Sequence, residues 1–231
     1  MELSTSKVIC GIISEQKRWA SLIEKFLGIS PSLLEAIHET HIHGKLCYVA
    51  FGTTSPFTAI LVENFARFNV NFAFRLGTCG GISPDLKVGD IVLVDSAIRG
   101  EGTSKCYIEE SFPAVASYEL LNMVAKKMKN KGLPFKVGKA WTTDGRFVER
   151  DEDILRFSKV GVLCVDMETS AFYVVSDLKN IKALSINIVT DMPINDLGRD
   201  IKGIVEPQIQ GNITLLAKEV IKLLMEVIKD L

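Results

Sequence analysis

No apolar run in this 231-residue chain approaches the roughly 18 residues that a membrane-crossing helix needs. The stretch Met1 to Lys7 is polar and lacks the apolar core of a secretory signal. Charge of one sign is missing too. Lys and Arg number 27 against 28 Asp and Glu, a net charge of −1, so no basic field stands ready for nucleic acid or anionic lipid. Cysteine is sparse and badly placed for a framework. Cys10, Cys47, Cys79, Cys106 and Cys164 are odd in number, far apart, and form no Cys-x-x-Cys pair. A disulfide scaffold, a zinc ribbon and a thioredoxin-type motif are thereby set aside. Linkers, low-complexity tracts and solenoid-period repeats are also missing. The expectation is one domain over residues 1–231, cytoplasmic, acting on a small molecule rather than on nucleic acid or a membrane.

What the chain does contain is alternation. Short β-branched apolar runs at Val8–Ile13, Leu46–Phe51, Phe72–Leu76, Asp90–Ser96, Val137–Trp141, Val162–Met167 and Ala183–Val189 read as strands covered on both faces. Helical spacing fills the gaps. Glu15–Leu27 carries Trp19, Leu22, Ile23 and Phe26 on one stripe. Pro56–Phe68 opens with a proline suited to a first turn, and Ser117–Lys131 stops at Gly132 and Pro134. Glu168–Leu178 follows a strand directly, and a last helix covers Gln210–Asp230. The pattern predicts a three-layer α/β/α fold around a central mixed sheet. Chemistry in such folds gathers at the carboxyl ends of strands.

Three strand-end segments carry suitable residues. In Arg75-Leu76-Gly77-Thr78-Cys79-Gly80-Gly81 the glycines read either as a tight turn or as an anion-binding loop with Arg75 at its entrance. It is neither a Walker loop nor a dinucleotide fingerprint. A buried arginine needs an anionic partner. No acid lies nearby in sequence, which favours an external anion such as phosphate. Val165-Asp166-Met167-Glu168-Thr169 reads as helix-start chemistry or as a glutamate facing sugar hydroxyls above a methionine floor. Val189-Thr190-Asp191-Met192-Pro193 offers a single aspartate, a turn residue or a buried general acid. A fourth stretch, Trp141-Thr142-Thr143-Asp144-Gly145-Arg146-Phe147, brings aromatics that can stack on a base or simply pack. His38, His41 and His43 form His-x-x-His-x-His without a cysteine to complete a site, and read as surface or interface groups rather than metal ligands.

Taken in order and spacing, these segments resemble the nucleoside phosphorylase family, which embraces hexameric purine nucleoside phosphorylases, uridine phosphorylases and methylthioadenosine nucleosidases. The resemblance spans nearly the whole chain and is strongest at Phe74–Ile82, Leu86–Val92, Phe112–Val115 and Val165–Glu168. It implies phosphate contacts at Arg75, Thr78, Arg18 and Ser14, ribose contacts at Met167 and Glu168, and base contacts at Cys79, Gly80, Phe147 and Val165. Phe147 shares its position in register with Arg146. Asp191 falls where an acid serves the purine ring, with Arg75 and Asp191 as the catalytic pair. The resemblance further implies phosphorolysis of a purine nucleoside to free base and ribose 1-phosphate. It implies no organic cofactor or metal, phosphate as co-substrate, and a homo-hexamer built as a trimer of dimers. A uridine phosphorylase, a nucleosidase using water and a non-catalytic relative are the alternatives. Two departures stand out. Ser14-Glu15-Gln16 replaces the usual glycine-aspartate-proline turn, and no arginine lies between Gly28 and Gly44 to be lent to a neighbouring subunit.

Overall fold

The computed structural model of the chain describes residues 9–27, 37–199 and 207–231. The strand β1 (Ile9–Ser14) lies between two parallel neighbours, β3 (Lys45–Phe51) and β4 (Phe72–Gly81). Beyond β3 runs an antiparallel edge strand, β2 (Ile37–Ile42). On its other side β4 pairs in parallel with β9 (Lys182–Asp191), which runs antiparallel to β5 (Ile91–Gly100). The sheet continues through β7 (Lys136–Thr143) and β8 (Val162–Asp166), each parallel to its predecessor. β8 then returns to β4 through Gly80 and Gly81. Thus β4, β9, β5, β7 and β8 close a ring of five strands, from which β1, β3 and β2 extend on one side. A two-residue strand, β6 (Ala114–Val115), adds to β5. The sheet is mixed, as expected.

Helices cover both faces, and strand periodicity decides which residues meet which. On one face, α1 (Lys17–Leu27), α3 (Tyr118–Asn130) and α6 (Pro207–Asp230) set Trp19, Ile23, Leu120, Val124, Val220 and Leu224 against Ile12, Phe74, Leu76 and Ile186. On the other, α2 (Ser55–Arg67) and α5 (Thr169–Leu178) set Val62, Phe65, Phe172 and Val174 against Ile13, Ala73 and Ala183. Arg75 follows Ala73 at the period of two. It therefore points to the second face, beneath α5, where burial is complete.

Three elements lie outside the sequence expectation. The helix α4 (Asp151–Lys159) is mostly charged and buries only Ile154 completely, so its apolar stripe is too thin to read. In β2 the histidines and Glu39 mask the alternation, and β6 is too short for any pattern. The glycine-rich segment after Leu76 is also corrected. It is no free loop but the second half of β4, paired with β9 through Gly80 and with β8 through Gly80 and Gly81. The register slips between Cys79 and Gly80, which bends the strand over the end of β9.

Candidate active site

Arg75 is the centre of a buried polar cluster. Its Nη1 donates to Asn187 Oδ1 at 2.7 Å and to Ser185 Oγ at 3.2 Å, both from β9 directly alongside. Its Nη2 donates to Glu15 Oε2 at 3.0 Å and to Glu168 Oε2, while Asp166 Oδ2 lies 3.6 Å from Nη1. Only Nε finds no acceptor among the described residues. Burial works against the charge, but the carboxylates of Glu168, Asp166 and Glu15 outweigh it and hold the guanidinium above its ordinary pKa. The sequence expectation that Arg75 lacks an acidic partner within the chain is therefore corrected. The chain supplies three carboxylates of its own, from segments remote in sequence. Gly77 makes room for this arrangement, since a Cβ there would stand 2.4 Å from Arg75 Nη1.

Thr78 and Glu15 meet above that arginine. The Thr78 N–H donates to Glu15 Oε2 at 2.6 Å, and the Thr78 hydroxyl donates to Glu15 Oε1 at 2.5 Å. With Arg75, these donors form a three-pronged cradle of the kind that holds an oxyanion. The turn that carries Glu15 is anchored by its own N–H to the Leu76 carbonyl at 3.1 Å. Ser14 is buried and its hydroxyl donates to the Gln16 carbonyl at 3.0 Å, inside the same turn. Arg18 sits exposed in the first turn of α1 and is not among the residues that line the cleft.

Next along the cleft lie Met167 and Glu168, where β8 gives way to α5. Glu168 Oε1 accepts from the Thr54 N–H at 2.7 Å, which ties this junction to the start of α2. Burial pushes the Glu168 carboxyl up to about 7, against the pull of Arg75. The Met167 carbonyl accepts from the Ser55 hydroxyl at 2.6 Å. The two acids of this segment have separate work. Asp166 Oδ1 accepts from the Thr169 N–H at 3.3 Å, satisfying a helix-start donor, and from the Thr142 hydroxyl at 2.7 Å. Its Oδ2 accepts from Asn187 Nδ2 at 2.9 Å. The helix-start reading thus fits Asp166, and both Asp166 and Glu168 line the cleft.

The cleft is lined as well by Asp191, Thr190, Gly80, Cys79, Val165, Arg146 and Glu149. Asp191 Oδ1 accepts from the Thr190 hydroxyl at 2.8 Å. Burial raises the Asp191 carboxyl above its ordinary range, opposed by that hydrogen bond and by Arg146. Gly80 packs so closely that a Cβ would meet Pro193 Cγ at 2.7 Å and Asp191 Oδ2 at 3.0 Å. Glu149 is 9% exposed, and its Oε2 has no partner among the described residues. Burial raises its carboxyl too, with Asp191 adding to the rise. Phe147 adopts φ 73° and is 42% exposed, under the Arg146 guanidinium at 4.7 Å. It does not line the cleft, whereas Arg146 does. Trp141 is core, tilted against Phe157 with ring centroids 4.8 Å apart.

Of the residues singled out from sequence, Thr78, Cys79, Gly80, Val165, Met167, Glu168 and Asp191 line one cleft, and Arg75 lies under it. Sequence reasoning missed Glu15, Thr53, Glu149 and Thr190 in the lining. Glu15 was signalled only by its departure from the family's turn. His41 belongs to β2 rather than preceding a strand, and His43 turns the following hairpin at φ 50°. Among the described residues no group of three or more His, Cys, Asp or Glu is placed to hold a metal ion.

At its strand ends the mixed α/β sheet gathers the Arg75 and Thr78 donors, an inward Glu168 and a half-buried Asp191 around one cleft. The chain belongs to the phosphorylase superfamily, whose family model matches residues 49–229. It is 34% identical to the DeoD-type purine nucleoside phosphorylase of Bacillus subtilis over 149 residues, 64% of each chain. It is 31% identical to the guanosine phosphorylase of Halorubrum lacusprofundi over 135 residues, 58% of this chain and 56% of that one. The chain thus spans less than two thirds of the length of these relatives. In structure it resembles the uridine phosphorylase of Vibrio fischeri, with a TM-score of 0.81, 20% identity and coverage of 98% and 92%. It also resembles the 5′-methylthioadenosine/S-adenosyl homocysteine nucleosidase of Helicobacter pylori, with a TM-score of 0.79, 17% identity and coverage of 98% and 100%. Both structural likenesses speak for the fold.

Proposed function

We propose that the chain cleaves the N-glycosidic bond of purine nucleosides by phosphorolysis, releasing free base and ribose 1-phosphate. The observation that carries the reading is that Thr78, Glu168 and Asp191 line one cleft, with Arg75 buried against Glu168. Breaking the bond builds positive charge on the sugar and negative charge on the base. A phosphate oxygen that attacks the anomeric carbon balances the first, and guanidinium holds it at any working pH. Glu168 accepts hydrogen bonds from the sugar hydroxyls over Met167. Asp191, whose carboxyl burial raises above its ordinary range, donates in its protonated form to the purine ring nitrogen as the base leaves. A pyrimidine offers no such nitrogen, which favours a purine over uridine. The purine-directed names of the relatives support the same choice.

Inorganic phosphate is then a co-substrate, and the chemistry requires no organic cofactor or metal. The family resemblance extends the proposal to a cytoplasmic homo-hexamer formed by three dimers, from one domain per chain. The decisive experiment incubates the protein with inosine, adenosine, methylthioadenosine and uridine, with and without phosphate. Base release from purine nucleosides that depends on phosphate is the expected result. Release indifferent to phosphate, or confined to uridine, would overturn the proposal.

A further inference from the structure

The cradle that should receive phosphate already holds an anion. Glu15 takes the Thr78 N–H at 2.6 Å, the Thr78 hydroxyl at 2.5 Å and Arg75 Nη2 at 3.0 Å. These are the donors that an oxyanion would use. The Glu15 side chain keeps 10% of its surface exposed, whereas Arg75 keeps none. Glu15 lines the cleft and Arg75 does not. The carboxylate therefore stands between the guanidinium and anything that enters. A dianion and a carboxylate cannot share three donors, since like charges at contact repel strongly in a site this dry. The backbone of Glu15 is pinned to Leu76, so relief must come from rotation of the side chain alone.

We propose that Glu15 is the residue that sets this chain's selectivity for phosphate. Its carboxylate closes the anion cradle in the empty protein, and an incoming phosphate binds only by displacing it. The inference rests on the phosphorolytic reading of the cleft. The apparent affinity for phosphate is then the intrinsic affinity reduced by the fraction of molecules with Glu15 swung away. The same latch also compensates Arg75 while the cleft is empty, so that Glu168 and Asp166 are not its only counter-charges. Smaller or weakly charged entrants gain nothing from the cradle until Glu15 leaves it.

The test measures binding of inorganic phosphate by calorimetry to the full chain and to Glu15→Gln and Glu15→Ala. Glutamine keeps the shape without the charge, and alanine empties the cradle. Both variants should bind phosphate at least tenfold more tightly than the parent. Binding equal to or weaker than the parent's overturns the proposal. So does a variant that loses phosphate-independent base release without gaining affinity, because Glu15 would then be orienting water. If the variants bind more tightly while the parent's base release ignores phosphate, the latch stands and the phosphorolytic reading falls. If the parent depends on phosphate and the variants bind no tighter, the reverse holds. Should neither variant fold, hydrogen–deuterium exchange of the parent decides. Saturating phosphate should speed exchange across residues 14–17, and unchanged or slower exchange there sinks the idea.

Discussion

Two regions of the cleft, an anion end around Arg75 and a base end around Asp191 and Glu149 in the proposed reading, are built on opposite plans. At the anion end almost every polar atom is already paired within the chain. Thr78, Arg75, Glu15 and Glu168 satisfy one another, and Asn187 and Ser185 complete the shell. At the end proposed for the base, two carboxylates are raised by burial, and Glu149 Oε2 has no partner among the described residues. A saturated network is rigid and holds its geometry before a ligand arrives. An unsaturated one leaves its desolvation penalty to be relieved by whatever binds. The first region thus holds the Arg75 guanidinium in place and leaves only Glu15, at its exposed rim, to move, whereas the second keeps an acceptor free for a ligand that brings donors of its own.

The largest effect should come from removing the hub of the saturated end. Arg75→Met leaves Glu15, Glu168 and Asp166 facing one another without a counter-charge. Uncompensated buried charge of this kind costs about 3–5 kcal/mol. Denaturant unfolding should register that loss, together with loss of phosphate-dependent turnover. A variant as stable as the parent would show that the network is less closed than its distances indicate. Asp191→Asn tests the other end. It should slow release of purine bases by about 10²–10⁴-fold with little change in stability. Because burial raises the Asp191 pKa, the protonated acid persists to higher pH than an ordinary aspartate would. Turnover in the parent should therefore fall on the alkaline side as that proton is lost, and Asp191→Asn should flatten this limb. A limb that survives the substitution would assign the proton to another group.

This contrast also marks what the sequence could carry. Near-continuous apolar runs are local, so β4 and β9 are legible as strands covered on both faces from residues such as Phe74, Leu76, Leu184 and Ile186. The motif segments locate Glu168 and Asp191 at strand ends for the same reason, whereas Thr78 lies within β4. What stays hidden is pairing over distance. Glu15 and Glu168 reach Arg75 across 60 and 93 residues, and no local pattern announces which carboxylate will arrive. The expectation that no acid of the chain reaches Arg75 failed on that point. Glu149 was invisible because it follows an irregular stretch, and α4 behind it is too charged to show a stripe. The glycines of β4 read as a turn because their pairing partners lie on β8 and β9.

A finer probe of the saturated end is Gly77→Ala. The added methyl would lie 2.4–2.5 Å from the Arg75 guanidinium, which hydrogen bonds to four residues hold in place. The side chain has no slack to yield, so the cost should be about 1–3 kcal/mol, typical of overpacking. Thermal melting would read it as a clear drop. A neutral result would mean that the guanidinium shifts freely and that the anion end is softer than the contrast requires.

The smallest effect concerns the unsaturated end, and it has the opposite sign. Burial raises Glu149 above its ordinary pKa, so the folded state holds that proton where the unfolded chain has released it. Stability then falls as pH climbs from the ordinary glutamate range through the folded value, because the folded state binds more protons over that window. Glu149→Gln removes the titration and fills the same space. The variant should match or exceed the parent's melting temperature at pH 8, and the difference should shrink towards pH 4. Should the parent prove the more stable at pH 8, Glu149 would be held by a charge partner after all. The base end would then be as closed as the anion end, and the two plans would reduce to one.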